Sequence, residues 1–538
     1  MTAPGTLVLR RARIHTMARL PPAAAIAIQD GKIAAVGGEA DVMAAAGHDS
    51  AVVDLRGKIV LPGFTDAHVH WGTYALLRRR LAFGPDQQLT DVVRRVRAHA
   101  ADVQPGSWIL GRGWDHTSWG RWPTAEDLDV ATTEHPVALT RKDGHAVWLN
   151  SAALLRAGIG ASTPDPEGGV IVRHGGTPTG VLTENAMRLV DAAVPEPDPH
   201  ERQAAMVDAW PDAWCRGLTG CHDMGYRENA VFRDLSTLRE SGELGLRFVW
   251  YFTGSALDEA IGLGLRSGLG DEWLRVGGLK LFLDGTLGSQ TADMLEAYEG
   301  RPAAARGIAT MSEEEFGDFV RRAANAGIAT AVHAIGDAAN RKALDGFEAV
   351  RGIRALRHRI EHAQLVDATD FERFSRLGVI ASMQPIHCTS DMAIADRYWG
   401  DRAGYAYAWR SMLDSGARLA FGSDAPVETL DVFAGLHAAV TRRDADGEPQ
   451  SGWHREQRVG VRDAVAAYTT GPAYASGQEK SLGSLAAGRY ADLIVVDRDP
   501  FTVSSAALRE TRVLGTMIEG IWVWQSPDVE FGGPRQGG

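Results

Sequence analysis

Eight short apolar runs constrain this chain more than any other feature: 59–64, 218–222, 246–252, 275–283, 329–333, 359–362, 379–383 and 419–423. Each ends in polar or small residues, and amphipathic stretches such as 313–326 and 338–350 lie between many of them. Strand alternating with helix makes neighbouring strands parallel, and eight such units close into a barrel. The expected fold class is α/β, a (β/α)₈ TIM barrel.

Between the first and second runs lie roughly 150 residues, well beyond an ordinary connection. The stretch 73–210 is therefore expected to fold on its own, as a lid or subdomain over the barrel mouth. It holds Trp108, Trp114, Trp119, Trp122 and Trp148. Both chain ends are β-rich. The segments 6–14, 24–29, 32–36 and 51–53 are strand-like, with Asp30-Gly31 as a tight-turn pair, and ADLIVVD (491–497) and VLGTMIEGIWV (513–523) match them near the C-terminus. The termini are predicted to pair into one small β-sandwich, 1–61 with 480–538, around a barrel of 62–479.

Composition narrows the function classes. The net charge of −12 argues against nucleic acid, because neutralising phosphates needs clustered Lys and Arg. The compact basic cluster near a motif, Arg78-Arg79-Arg80, reads as a solvated helix face. Cys215, Cys221 and Cys388 are too few and too irregular for a disulfide framework and fit a reducing compartment. No run of about 18 apolar residues occurs and residues 1–17 read as a strand, so a cytoplasmic protein without membrane contact is expected. A homodimer is the base-rate expectation.

The chemistry begins with His68-Val69-His70 after the first run. Residues two apart on a strand face one side, so both imidazoles point into one space, a ready site for Zn²⁺. Alone, His-x-His is weak. At the C-terminal end of a barrel strand it weighs more, because that face carries catalysis. Lys280 lies inside the apolar strand GGLKLFL, where a cation must be paired, neutralised or modified. His333, His362 and Asp424 end or follow three further runs.

In this order, and on strands one, four, five, six and eight, His68, His70, Lys280, His333, His362 and Asp424 resemble the amidohydrolase superfamily. The segments IVLPGFTDAHVH (59–70) and GSLAAGRYADLIVV (483–496) look like the family's passage from small β domain to barrel and its return. More narrowly, GRGWD (111–115), DGHAVWLNSA (143–152) and GLKLFLDGTLGSQTA (278–292) resemble the YtcJ-type amidohydrolases, which include N-substituted formamide deformylase and carry a long insertion after strand one. The resemblance implies two divalent metal ions, commonly zinc, bridged by an N-carboxylated Lys280. His68 and His70 would bind the first with Asp424, and His333 and His362 the second. Cys221, at the end of strand two, is the alternative bridge, because some relatives use a cysteine there and thiolate is a good zinc ligand. His222 would point the other way and is read as structural.

The implied reaction is hydrolysis of a non-peptide, amide-type C–N bond of a small molecule, an N-substituted formamide or related N-acyl amine. A metal-bound hydroxide is the nucleophile and Asp424 the proton shuttle. His145 is expected to contact the substrate carbonyl, with Asp143 orienting it, and Trp114 and Trp148 are candidate pocket walls. Cyclic amide or imide ring opening, or aminopyrimidine-type deamination, is the alternative; Asp337 would then imitate the deaminase acid. A catalytically silent binding protein would lack ligands, and none is missing.

Overall fold

The computed structural model describes residues 5–84, 87–142, 144–225, 230–353 and 355–531. Eight parallel strands form one sheet: β1 (Phe64–Val69), β2 (Leu218–Asp223), β3 (Arg247–Thr253), β4 (Leu274–Phe282), β5 (Ala329–Ala334), β6 (Arg359–His362), β7 (Ile380–Met383) and β8 (Arg418–Phe421). Each strand pairs with its sequence neighbour. Between β8 and β1 the gap is spanned at the C-terminal end, where Asp424 N–H donates to His68 O at 2.7 Å and His70 N–H to Ala425 O at 2.9 Å. Gly422 permits that approach, since a Cβ there would lie 2.4 Å from His68 N. This nearly closed parallel barrel is of the TIM-barrel class. Its connections include the helices Glu313–Ala326 and Asp337–Ala349.

One strand differs from its sequence-based expectation. The run 59–64 is not the first barrel strand, because the chain changes sheets at Pro62-Gly63. Ile59–Pro62 pairs with Arg13–Ile14 and, antiparallel, with Leu493–Val496, whereas Phe64 opens β1. Gly63 allows the crossing: its N–H reaches Asp492 O, and a Cβ on it would collide with Thr219 at 2.3 Å.

The chain ends build two small sheets. One has the order Lys32–Gly37, Ala25–Gln29, Leu7–Arg10, Ala51–Asp54. The other has the order Arg13–Ile14, Ile59–Pro62, Leu493–Val496, Val513–Ile518, Ile521–Gln525. Leu9, Ile26 and Ile28 of the first share an apolar cluster with Val60, Leu493, Val495 and Trp522 of the second. The turn at Asp30-Gly31 has φ of 50° and 75°, as a two-residue hairpin with right-handed twist requires. Glu519-Gly520 repeats it, so the predicted segment 513–523 is a hairpin of two strands.

Ala75–Ala205 is a compact unit of its own. Its six-stranded sheet runs Gly169–His174, Thr177–Glu184, Ala146–Leu149, Val137–Arg141, Ile109–Trp114, Leu81–Ala82. Alternation along these strands feeds two apolar clusters, one around Ile109, Leu139 and Trp148, the other around Ala138, Leu149 and Leu182. Among the described residues no helix is long and apolar enough to cross a membrane.

Candidate metal centre

The C-terminal ends of β1, β6 and β8 bring His68, His362 and Asp424 together, with ligand atoms within 4.8 Å of one another and all three side chains buried. Among the described residues this is the one such group. His362 and Asp424 adopt positive φ, 73° and 59°. L-residues avoid that region, and its use marks a backbone bent to aim a side chain. His70 Nε2 lies 3.2 Å from Asp424 Oδ1, and His68 Nε2 lies 3.4 Å from the same oxygen. The His333 ring is 4.6 Å from that of His362, so it borders the group from β5.

The hydrogen bonds fix which nitrogen each imidazole offers. His68 Nδ1 meets Glu361 Oε2 at 2.6 Å, and His362 Nδ1 meets Gln384 Oε1 at 2.8 Å, which leaves Nε2 of each as the lone pair. His333 is reversed: Nε2 meets Gly285 O at 2.9 Å, leaving Nδ1. Burial lowers the pKa of His68 to about 4, against the pull of Asp424, so the ring stays neutral and able to ligate. Burial opposes ionisation of Asp424, yet His68, His387 and His70 around it hold its carboxyl well below the usual range.

Lys280 is the exception in this wall of acceptors. It is buried on β4, and its Nζ has no hydrogen-bond partner among the described residues. Burial brings its amine down to about 8, against the attraction of Glu361 and Asp424. Asp424 Oδ1 also lacks a hydrogen-bond donor although two imidazole nitrogens face it. Imidazole nitrogens converging on one carboxylate oxygen at 3.2–3.4 Å, beside a buried amine, fit a divalent cation.

Strand periodicity does not point to several residues here. His387, on the helix Pro385–Trp399 after β7, places Nε2 3.1 Å from Asp424 Oδ2 and Nδ1 3.5 Å from Glu428 Oε1. Burial opposes its charge, but those two carboxylates raise it to about 10. Asp284 accepts from the backbone N–H groups of Asp293, Ile335 and Gly336, tying the loop after β4 to the loop after β5 beside His333.

Other expected site residues lie elsewhere. The Cys221 thiol is pushed well above its usual range by burial and by Asp66 and Asp223, and it is not among the gathered ligand atoms. His222 accepts from Arg359 at Nδ1 inside the barrel. Asp337 accepts from Leu295 N–H at 2.8 Å, a loop-holding bond. Trp114 and Trp148, expected as candidate pocket walls, lie in the core of the insertion unit. Both indoles are fully buried against one another and Trp119 in the insertion core, and their N–H groups are spent on Leu139 O and Thr124 O. His145 is exposed on the insertion unit, its Nδ1 3.0 Å from Glu184 Oε2. Asp143 lies outside the described residues.

Comparison with known proteins adds a family. A family model described as "Amidohydrolase family" matches residues 51–523. A Bacillus subtilis (strain 168) protein designated YtcJ is 32% identical over 88% of this chain and 90% of its own. N-substituted formamide deformylase of Arthrobacter pascens is 31% identical over 97% of this chain and 98% of its own. The crystal structure of an uncharacterised metal-dependent hydrolase from Pyrococcus furiosus superposes with a TM-score of 0.79 at 30% identity, covering 92% of this chain and all of that one.

Proposed function

This chain belongs to the amidohydrolase family, and on that premise we propose that it is a metal-dependent hydrolase of a non-peptide amide-type C–N bond, with N-substituted formamides or related N-acyl amines as substrates. The observation that carries the reading is the buried meeting of His68, His362 and Asp424 beside the unpartnered Lys280, at the end of the barrel that carries catalysis.

His68, His70, His333, His362 and Asp424 would hold divalent metal, zinc being the expected ion. Lys280, carboxylated on Nζ by CO₂, would bridge two such ions and so acquire the anionic character its apolar strand otherwise forbids. When bound, the metal supplies Lewis acidity, lowering the pKa of a water and polarising the substrate carbonyl.

The chain's own part is proton handling and orientation. Oδ1 of Asp424 faces His68 and His70 and would serve the metal, while Oδ2, which accepts from His387 on one lone pair, would use its other to carry a proton from the attacking water to the leaving nitrogen. An amide needs that delivery, because an amide anion leaves poorly. His387 donates to Oδ2, keeping the carboxylate ionised between transfers and fixed in direction.

The test is a panel of N-formyl, N-acetyl, cyclic-imide and aminopyrimidine compounds given to zinc-loaded protein, with His68→Ala as control. Amine from a formyl or acyl member supports the proposal. Ammonia from an aminopyrimidine, or ring opening without amine release, replaces it with the ring-substrate reading.

A further inference from the structure

We propose that Arg359 and Glu361 form a positioning device for His68, so that the grip of the centre on its metal is set from inside the barrel; this rests on the metal-dependent reading above. Glu361 Oε2 takes His68 Nδ1–H at 2.6 Å. Arg359 grips both oxygens of that carboxylate, Nε to Oε1 at 2.5 Å and Nη2 to Oε2 at 3.0 Å. The same guanidinium donates to Ala67 O at 2.6 Å, the carbonyl immediately before His68. Nη2 shares its two N–H groups among Glu361 Oε2, Ala67 O and Ser382 Oγ, and Nη1 donates to His222 Nδ1 and, at 3.5 Å, to the Tyr251 hydroxyl. His68 is thus held by side chain and backbone from one fully anchored cation.

Packing alone does not account for this arrangement. Arg359 and Glu361 are fully buried, where a barrel interior is ordinarily filled by branched aliphatic side chains. An ion pair in such a place is a poor source of stability compared with apolar packing of similar volume. What it does provide is a charged acceptor for one imidazole. That locks the tautomer, turns the Nε2 lone pair toward Asp424 and makes it a stronger donor to a metal. Of the other expected ligand imidazoles, His362 has a neutral ring partner in Gln384 Oε1, and His333 Nε2 meets Gly285 O at 2.9 Å with Asp284 Oδ1 farther off at 3.4 Å.

Glu361→Gln keeps the shape and removes the charge. Zinc affinity is read by competition with a chromophoric chelator, and the ligand field by the visible spectrum of the Co²⁺-substituted protein. The expected result is zinc affinity weaker by about 10- to 100-fold with a shifted cobalt band. Ser382→Ala, which loosens Arg359 without touching any charge, gives a smaller loss in the same direction and carries the test should Glu361→Gln not fold. Affinity within about three-fold of wild type and an unchanged cobalt spectrum overturn the proposal, whatever the thermal stability does. Wild-type protein that binds no zinc overturns this inference and the metal-dependent reading together, whereas equal binding by wild type and variant overturns this inference alone.

Discussion

His387 donates from Nε2 to Oδ2 of Asp424 across 3.1 Å, while Oδ1 of that carboxylate faces the nitrogens of His68 and His70. On the proposed reading one side of the carboxylate would serve metal and the other a proton, and His387, outside the six expected ligands, would assign them. His387→Ala should lower kcat by about 10- to 100-fold with bound metal unchanged. His387→Gln, which keeps a donor, should recover part of that loss. Metal analysis beside steady-state kinetics reads both, and a fall in metal to the His68→Ala level would make His387 a ligand instead.

Asp424→Asn retains an oxygen toward His68 and His70 but cannot carry the proton. Turnover should fall by about 10²- to 10⁴-fold while much of the metal stays. Near-normal amide hydrolysis by this variant would remove Asp424 from proton transfer.

Lys280→Ala deletes the group proposed to bridge the ions. Metal content and activity should both drop, and short carboxylic acids, which can mimic a carbamate, should restore part of the activity. Cys221→Ser should be nearly silent, and a large metal loss there would transfer the bridge to Cys221.

A fourth prediction concerns stability. Burial holds His358 down to about 4, with Nδ1 accepting from Thr330 N–H at 3.1 Å and the ring stacked on Phe347. The unfolded value is about 6.5, so folding favours the neutral ring. The contribution is complete above about pH 6.5 and is lost as pH falls from there to about 4, when the unfolded chain takes up a proton the folded ring refuses; the full loss is of the order of 3 kcal/mol. Thermal melts between pH 7.5 and 4.5 should therefore show a shallower pH slope for His358→Asn than for wild type. Equal slopes would contradict it.

The barrel and the meeting of His68, His362 and Asp424 were legible because strand ends of a parallel barrel converge on one face, so position along each apolar run was enough. Glu361 escaped because alternation places residues 361 and 362 on opposite sides of a strand. The φ of 73° at His362 breaks that alternation, so Glu361 reaches His68 Nδ1 while the His362 ring still joins the cluster. His387 escaped because it sits past Pro385 on a helix, where strand periodicity says nothing. The burial of Trp114 and Trp148 was not legible, because an indole that walls a pocket and one that fills a core carry the same sequence pattern. The sheet change at Pro62-Gly63 was hidden inside one continuous apolar run.

Zinc titration of chelator-treated protein, with amine release from an N-substituted formamide measured at each addition, tests metal-dependent amide hydrolysis. Activity absent without metal, rising with bound zinc and missing at every addition in His68→Ala, is the predicted result. Full amine release by metal-free protein would contradict it.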